Sequence, residues 1–166
     1  MNKIIQSNLK NLQKSKRILS NLTDEVLCET SIPPYYSSIG SHIRHILDFY
    51  DCILKMDSSK QVDLTARTRN KRVESDCKIA SCYLNIIIEK LNLFDYDMNE
   101  TVEVIDDLGM GTTKIIYTIG ALFAQANSHT IHHYAIINYI FEKLGIVLND
   151  DDFGYNPTTP KETSVN

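Results

Sequence analysis

The run from Ile119 to Gly145 constrains this chain more than any other segment. Ile119, Leu122, Phe123, Ala126, Thr130, Ile137, Ile140 and Leu144 recur mainly at steps of three, four and seven. In an α-helix that spacing gathers the side chains on one face, whereas a half-buried strand would bury alternate residues. Thr118 can offer a side-chain oxygen to a first-turn amide, and Gly145 can adopt the left-handed conformation that ends a helix. A long helix with one apolar stripe cannot bury it alone, so other helices must lie against it.

Three further patterns supply them. Ile5, Leu9, Leu12, Leu19 and Leu22 mark a first helix that fades near Thr23, and Pro33-Pro34 then enforces an extended connection. A second helix opens at Ser38 as N-cap, carries Ile39, Ile43, Ile46, Tyr50 and Ile53, and stops at Asp57-Ser58-Ser59. The stretch Arg67 to Arg72 is basic and irregular. A third helix opens near Ser75-Asp76 and runs through Ile79, Tyr83, Ile86, Ile87 and Leu91. Its β-branched run resembles a strand locally, but length and spacing favour helix. Thr101-Val102-Glu103-Val104 alternates, Gly109-Met110-Gly111 reads as a turn, and Lys114-Ile115-Ile116-Tyr117 follows, which predicts a small hairpin before the last helix. The expected architecture is an all-α four-helix bundle in one domain over 1–166. The tail 149–166 is expected to be irregular and to lie over the surface or fray.

Composition narrows the function. The 166 residues suffice for one domain with a sizeable core. A net charge of -4 gives no general pull towards nucleic acid or anionic membrane, so neither is an expected partner. No apolar run approaches the roughly 20 residues of a membrane span. Met1-Asn2-Lys3-Ile4-Ile5-Gln6 is too polar for a secretory signal. Cys28, Cys52, Cys77 and Cys82 form no C-x-x-C pair and read as reduced thiols in the cytoplasm.

All five histidines fall in two short windows, His42 and His45 in the second helix and His129, His132 and His133 in the last. His129 and His133 are one turn apart on a single face, a spacing that lets two imidazoles share one divalent ion. Threes and fours from Ala126 reach both, so the stripe points two polar rings inward, where each needs a partner. His132 is turned about 100° away and belongs at the stripe's edge, as a supporting group or a helix contact. For a third ligand, periodicity leans to His42, nearer the centre of its helix face, and leaves His45 open.

Ser38-Ile39-Gly40-Ser41-His42-Ile43-Arg44-His45-Ile46-Leu47-Asp48, followed far downstream by Ser128-His129-Thr130-Ile131-His132-His133-Tyr134-Ala135, resembles the DinB-like superfamily of metalloenzymes. So do the closing Leu144-Gly145-Ile146 and the later Asp152-Phe153-Gly154. The resemblance spans most of the chain from the second helix onward. It implies a four-helix bundle of up-down-down-up connectivity and a divalent metal held by three histidines. The family's apolar-x-His-apolar pattern matches Ile43-Arg44-His45-Ile46, and its H-x-x-x-H pair matches His129 and His133. The implied ligands are therefore His45, His129 and His133, with His42 and His132 supporting them. Activities in the family include metal-dependent hydrolysis and transfer reactions that use a small thiol.

Three neutral ligands leave an ion with its full charge and an open position, which suits attack by water or by a low-molecular-weight thiol on a small-molecule substrate. Zinc or nickel is expected first, and iron or manganese also suits imidazole. Thr130 stands where a zinc peptidase of H-E-x-x-H type has its glutamate, which argues against that class. Asp48, three residues from His45, is a candidate to orient its ring, and Tyr35, Tyr36 and Tyr134 are candidates to line a pocket. The run Arg67, Arg69, Lys71 and Arg72 can draw an anionic substrate to the bundle mouth, although such runs are usually solvated. The other reading is a metal- or ligand-holding module without turnover, a sensor or one half of a structural homodimer.

Overall fold

A computed structural model of the chain describes residues 2–160. Four long helices occupy the segments where apolar residues recur: α1 (Lys3–Asn21), α3 (Ile39–Leu54), α5 (Cys77–Asn92) and α6 (Ile119–Leu144). Two five-residue helices, α2 (Asp24–Cys28) and α4 (Lys71–Ser75), lie between them. The all-α expectation is corrected by three strands, β1 (Gln61–Asp63), β2 (Thr101–Asp107) and β3 (Thr112–Thr118), in one sheet of order β1-β2-β3. The protein is α+β, six helices beside a mixed sheet among the described residues.

Side-chain oxygens set the helix starts. Ser38 accepts from the Ser41 amide at 3.0 Å, Asp76 from Lys78 and Ile79 at 2.9 Å, and Thr118 from Ala121 at 3.1 Å. Each satisfies an amide that has no partner within its own helix. Gly145 closes α6 with φ of 69°, the left-handed turn a side chain would disfavour.

The sheet grows from the hairpin. β2 and β3 pair antiparallel with Val102 opposite Tyr117 and Val104 opposite Ile115. Val102 and Val104 are buried, while Glu103 between them faces outward and pairs with Lys114 at 2.8 Å. β1 then adds parallel to β2, placing buried Val62 opposite Val104. A three-residue strand with one buried side chain carries no period-two pattern, which is why it escapes a reading by periodicity.

The helices pack so that α1 and α3 each lie against both α5 and α6. The core is mostly Ile, Leu and Phe, crossed by a few satisfied polar contacts. Tyr50 donates to Asn8 at 2.6 Å, and Ser15 and Tyr134 share a hydrogen bond at 2.6 Å. Gly40, in the first turn of α3, sits where α4 crosses: a Cβ there would lie 2.0 Å from the carbonyl oxygen of Glu74. Arg44, one turn on, ties the same two elements through Glu74 at 2.6 Å.

Residues 149–160 form turns without helix or strand, and 161–166 lie outside the described residues. The tail does not merely cover the surface. Phe153 is buried and stacks on Tyr134 at 4.7 Å between ring centroids, because α6 leaves an aromatic face there to be covered. Among the described residues no helix is long and apolar enough to cross a membrane.

Candidate metal centre

α3 and α6 lie side by side, and their facing turns bring four imidazoles together. His45, His129 and His133 form the inner triangle, with ring centroids 4.8 Å (His45 to His129), 4.7 Å (His45 to His133) and 4.5 Å (His129 to His133) apart. One nitrogen from each lies within 4.8 Å of the other two, close enough for a single ion between them to reach all three. At one corner of this triangle, His129, the ring Nε2 is buried without a hydrogen-bond partner. A polar atom left so is costly, and a metal ion is the partner its surroundings suit. Phe49 stacks on the His129 ring at 4.8 Å and fixes its plane.

His42 stands behind the triangle. Its Nδ1 lies 2.8 Å from the Nδ1 of His133, and its Nε2 lies 2.7 Å from the Ser37 hydroxyl. With His133 donating, the chain His133–His42–Ser37 leaves the Nε2 of His133 bare for an ion. His132 is exposed, with its ring 5.3 Å from that of His133, and it lines a groove of about 460 Å³ with Pro33, Tyr35, Ser37, Ile136 and Tyr139.

Other candidates are placed elsewhere. Asp48 accepts from Arg44 at 2.7 Å, from Tyr83 at 3.2 Å and from the amide of Arg69 at 3.2 Å, so its carboxylate serves that network rather than the ring of His45. Asp51 pairs with Lys55 at 2.7 Å and Lys90 at 3.6 Å. Tyr134 is in the core, its hydroxyl donating to the carbonyl of Asn11 at 2.7 Å, and it lines a cavity with Asn11, Lys14, Ile131 and Gly154 rather than one at the histidines. Tyr35 and Tyr36 are exposed.

Sequence reasoning did not single out Ser37, Phe49 or the contact of Arg67 with His45. Phe49 lies one turn beyond His45, and helical spacing would have placed it on the same face. In the sequence Arg67 is one of a basic run that can draw an anionic substrate, with nothing to mark its contact with a histidine. Its guanidinium lies 3.2 Å from the Nδ1 of His45, from 22 positions away in sequence.

Burial and mutual proximity hold the imidazoles neutral, the state a metal ligand needs. Desolvation is the largest cause at each. It lowers His45 to about 3, helped by His129, Arg67, Arg44 and His42. It lowers His129 to about 4 with Arg67 and His132, and His133 to about 2 with the other four histidines. His42 moves the same way through burial and His132.

The unfolded chain takes up these protons near the ordinary value of 6.5 and the folded protein does not, so stability is full above that pH and declines as pH falls below it. Each histidine contributes at most about 1.4 kcal/mol per pH unit, less where solvent screens a partly exposed ring. Metal-free protein should therefore lose more than roughly 5 °C of Tm between pH 7 and pH 5. Calorimetry across that range checks it, and a flat Tm would contradict the burial of neutral imidazoles.

No protein-family model matches this chain, and no curated protein matches it in sequence.

Proposed function

We propose that this is a DinB-like, divalent-metal-binding protein of the cytoplasm that uses an ion held by His45, His129 and His133 for hydrolysis or small-thiol transfer on a small-molecule substrate. The observation that carries the reading is the triangle of neutral imidazoles, one of which, His129, keeps a buried Nε2 without a hydrogen-bond partner. Zinc or nickel suits the all-nitrogen donor set best, with iron and manganese as further occupants. The bound ion supplies Lewis acidity at an open coordination position.

The chain's own residues do the rest. His42 holds the ring of His133 through Nδ1, Ser37 holds His42, and Phe49 braces His129. Between the two reactions, thiol transfer asks less of the protein. Water attack benefits from a carboxylate that takes up a proton, and the acids nearest His45 in sequence, Asp48 and Asp51, are engaged by Arg44, Tyr83, Lys55 and Lys90. A thiol is far more acidic than water and manages without such a base. The same engagement of both acids favours, as a second reading, a metal-holding module without turnover.

Untagged protein purified from rich medium is expected to carry about one divalent ion per chain by elemental analysis. A screen of esters and thiol conjugates with the loaded protein then separates hydrolase, transferase and inert module. Protein that is metal-free from several media and shows no measurable affinity for zinc would rule the reading out.

A further inference from the structure

Arg67 leaves the irregular segment before α4 and reaches the histidine triangle. Its Nε–H donates to the carbonyl of Leu64 at 2.9 Å, which anchors the guanidinium, and a terminal nitrogen lies 3.2 Å from the Nδ1 of His45. The side chain is half-buried, and among the described residues no carboxylate pairs with it. The neighbouring Arg44 differs: it spends its charge on Asp48 and Glu74.

A guanidinium only donates, so Nδ1 of His45 must be the accepting nitrogen. A neutral imidazole has one lone pair, and here Arg67 occupies it. A metal ion needs that lone pair. Coordination through Nδ1 takes it directly. Coordination through Nε2 moves the ring proton to Nδ1, where it would confront another N–H. On either route the contact between Arg67 and His45 has to break. The freed guanidinium remains tethered through Leu64, beside an ion with an open position, as a planar cation lacking an acid partner. Such a fork pairs with a carboxylate through two parallel hydrogen bonds.

We infer that Arg67 is a ligand-binding residue of this site: it yields His45 to the metal ion and then holds the carboxylate of a small anionic ligand seated against that ion. The inference rests on the three-histidine reading and goes on to name the class of ligand, a carboxylate. Arg67 thus acts in opposite directions on two equilibria, opposing the ion and favouring the anion. A residue that only supported the fold would move both the same way.

The test uses untagged full-length protein, wild type, Arg67→Met and Arg67→Lys. Zinc affinity is read by competition with a chelating indicator. Carboxylate affinity is read from the visible spectrum of cobalt-loaded protein titrated with acetate, with acetamide as the uncharged control. Arg67→Met should bind zinc about 3–10-fold more tightly and acetate about 10–100-fold more weakly. Arg67→Lys, which keeps the charge and loses the fork, should fall between. Unchanged acetate affinity in Arg67→Met, parallel weakening of zinc and acetate, or a wild-type cobalt spectrum indifferent to acetate would each overturn the role of Arg67 while leaving the metal site standing. Wild-type protein that binds neither zinc nor cobalt would overturn the metal reading and this inference with it.

Discussion

His133→Ala should weaken zinc binding by more than about 100-fold, beyond the 10–100-fold that loss of a supporting partner usually costs. The ring of His133 is a corner of the inner triangle and also the partner of His42, so its removal takes away a donor and unpairs the group behind it. His45→Ala and His129→Ala should do the same. His42→Ala keeps all three donors and loses only what orients one of them, which predicts about 10–100-fold weaker binding. His132→Ala, exposed and outside the triangle, should change affinity by less than about 3-fold. Zinc titrations of the five variants at one pH, with circular dichroism to check folding, rank them. If His42→Ala loses the ion and His45→Ala retains it, the first ligand is His42.

Gly40→Ala should be the most disruptive single methyl addition in the helical core. An added Cβ would stand 2.0 Å from the Glu74 carbonyl oxygen, and the Cα of Glu74 would also be within 2.9 Å. These are backbone atoms, so no rotamer change makes room. α3 and α4 would have to separate by about an ångström or more, opening the packing around buried Val73 and lengthening the bond between Arg44 and Glu74. Overpacking of flexible surroundings costs about 1–3 kcal/mol, and a rigid backbone clash should exceed that. We expect a loss above about 4 kcal/mol and a fall in Tm of more than roughly 10 °C. A variant melting within about 2 °C of wild type would show that the helices part more easily than their geometry implies.

The long helices were legible because Ile, Leu and Phe recur with a helical period across many turns, and that signal accumulates with length. Thr101 to Val104 and the flanking glycines announced the hairpin for a similar reason. The short elements had no such redundancy. α2 and α4 bury Leu27 and Val73 respectively, and β1 buries Val62, one apolar residue each, which is too few to define a period. With β1 the hairpin becomes a mixed sheet, and the fold class moves from all-α to α+β. At the site, clustering pointed to the right windows of sequence, but spacing could not choose between His42 and His45. Both reach inward: His42 to within 2.8 Å of His133, and His45 into the triangle itself. Asp48 looked available to His45 because helical spacing relates them. Arg44 is also one turn from Asp48, at i,i+4 where His45 is at i,i+3, and its cation is the stronger attraction. The contact of Arg67 with His45 depends on the path of an irregular loop, which no periodicity encodes.

The placement of α1 has a consequence for the order of assembly as the chain is synthesised. Its principal helical neighbours are α5 and α6, which begin at Cys77 and Ile119. Tyr50 of α3 reaches its Asn8 from 42 positions away, but two of the contacts that lock it to α6, Asn11 to Asn127 and Ser15 to Tyr134, join positions 116 and 119 apart. A growing chain therefore carries the apolar face of Ile5, Leu12 and Leu19 uncovered until α5 is made, and its α6 side uncovered until the last of the described helices is made. Contacts so distant in sequence close late and slow folding, and an uncovered apolar helix meanwhile invites association. Of the described helices, α1 precedes the others in sequence and is among the last to be enclosed.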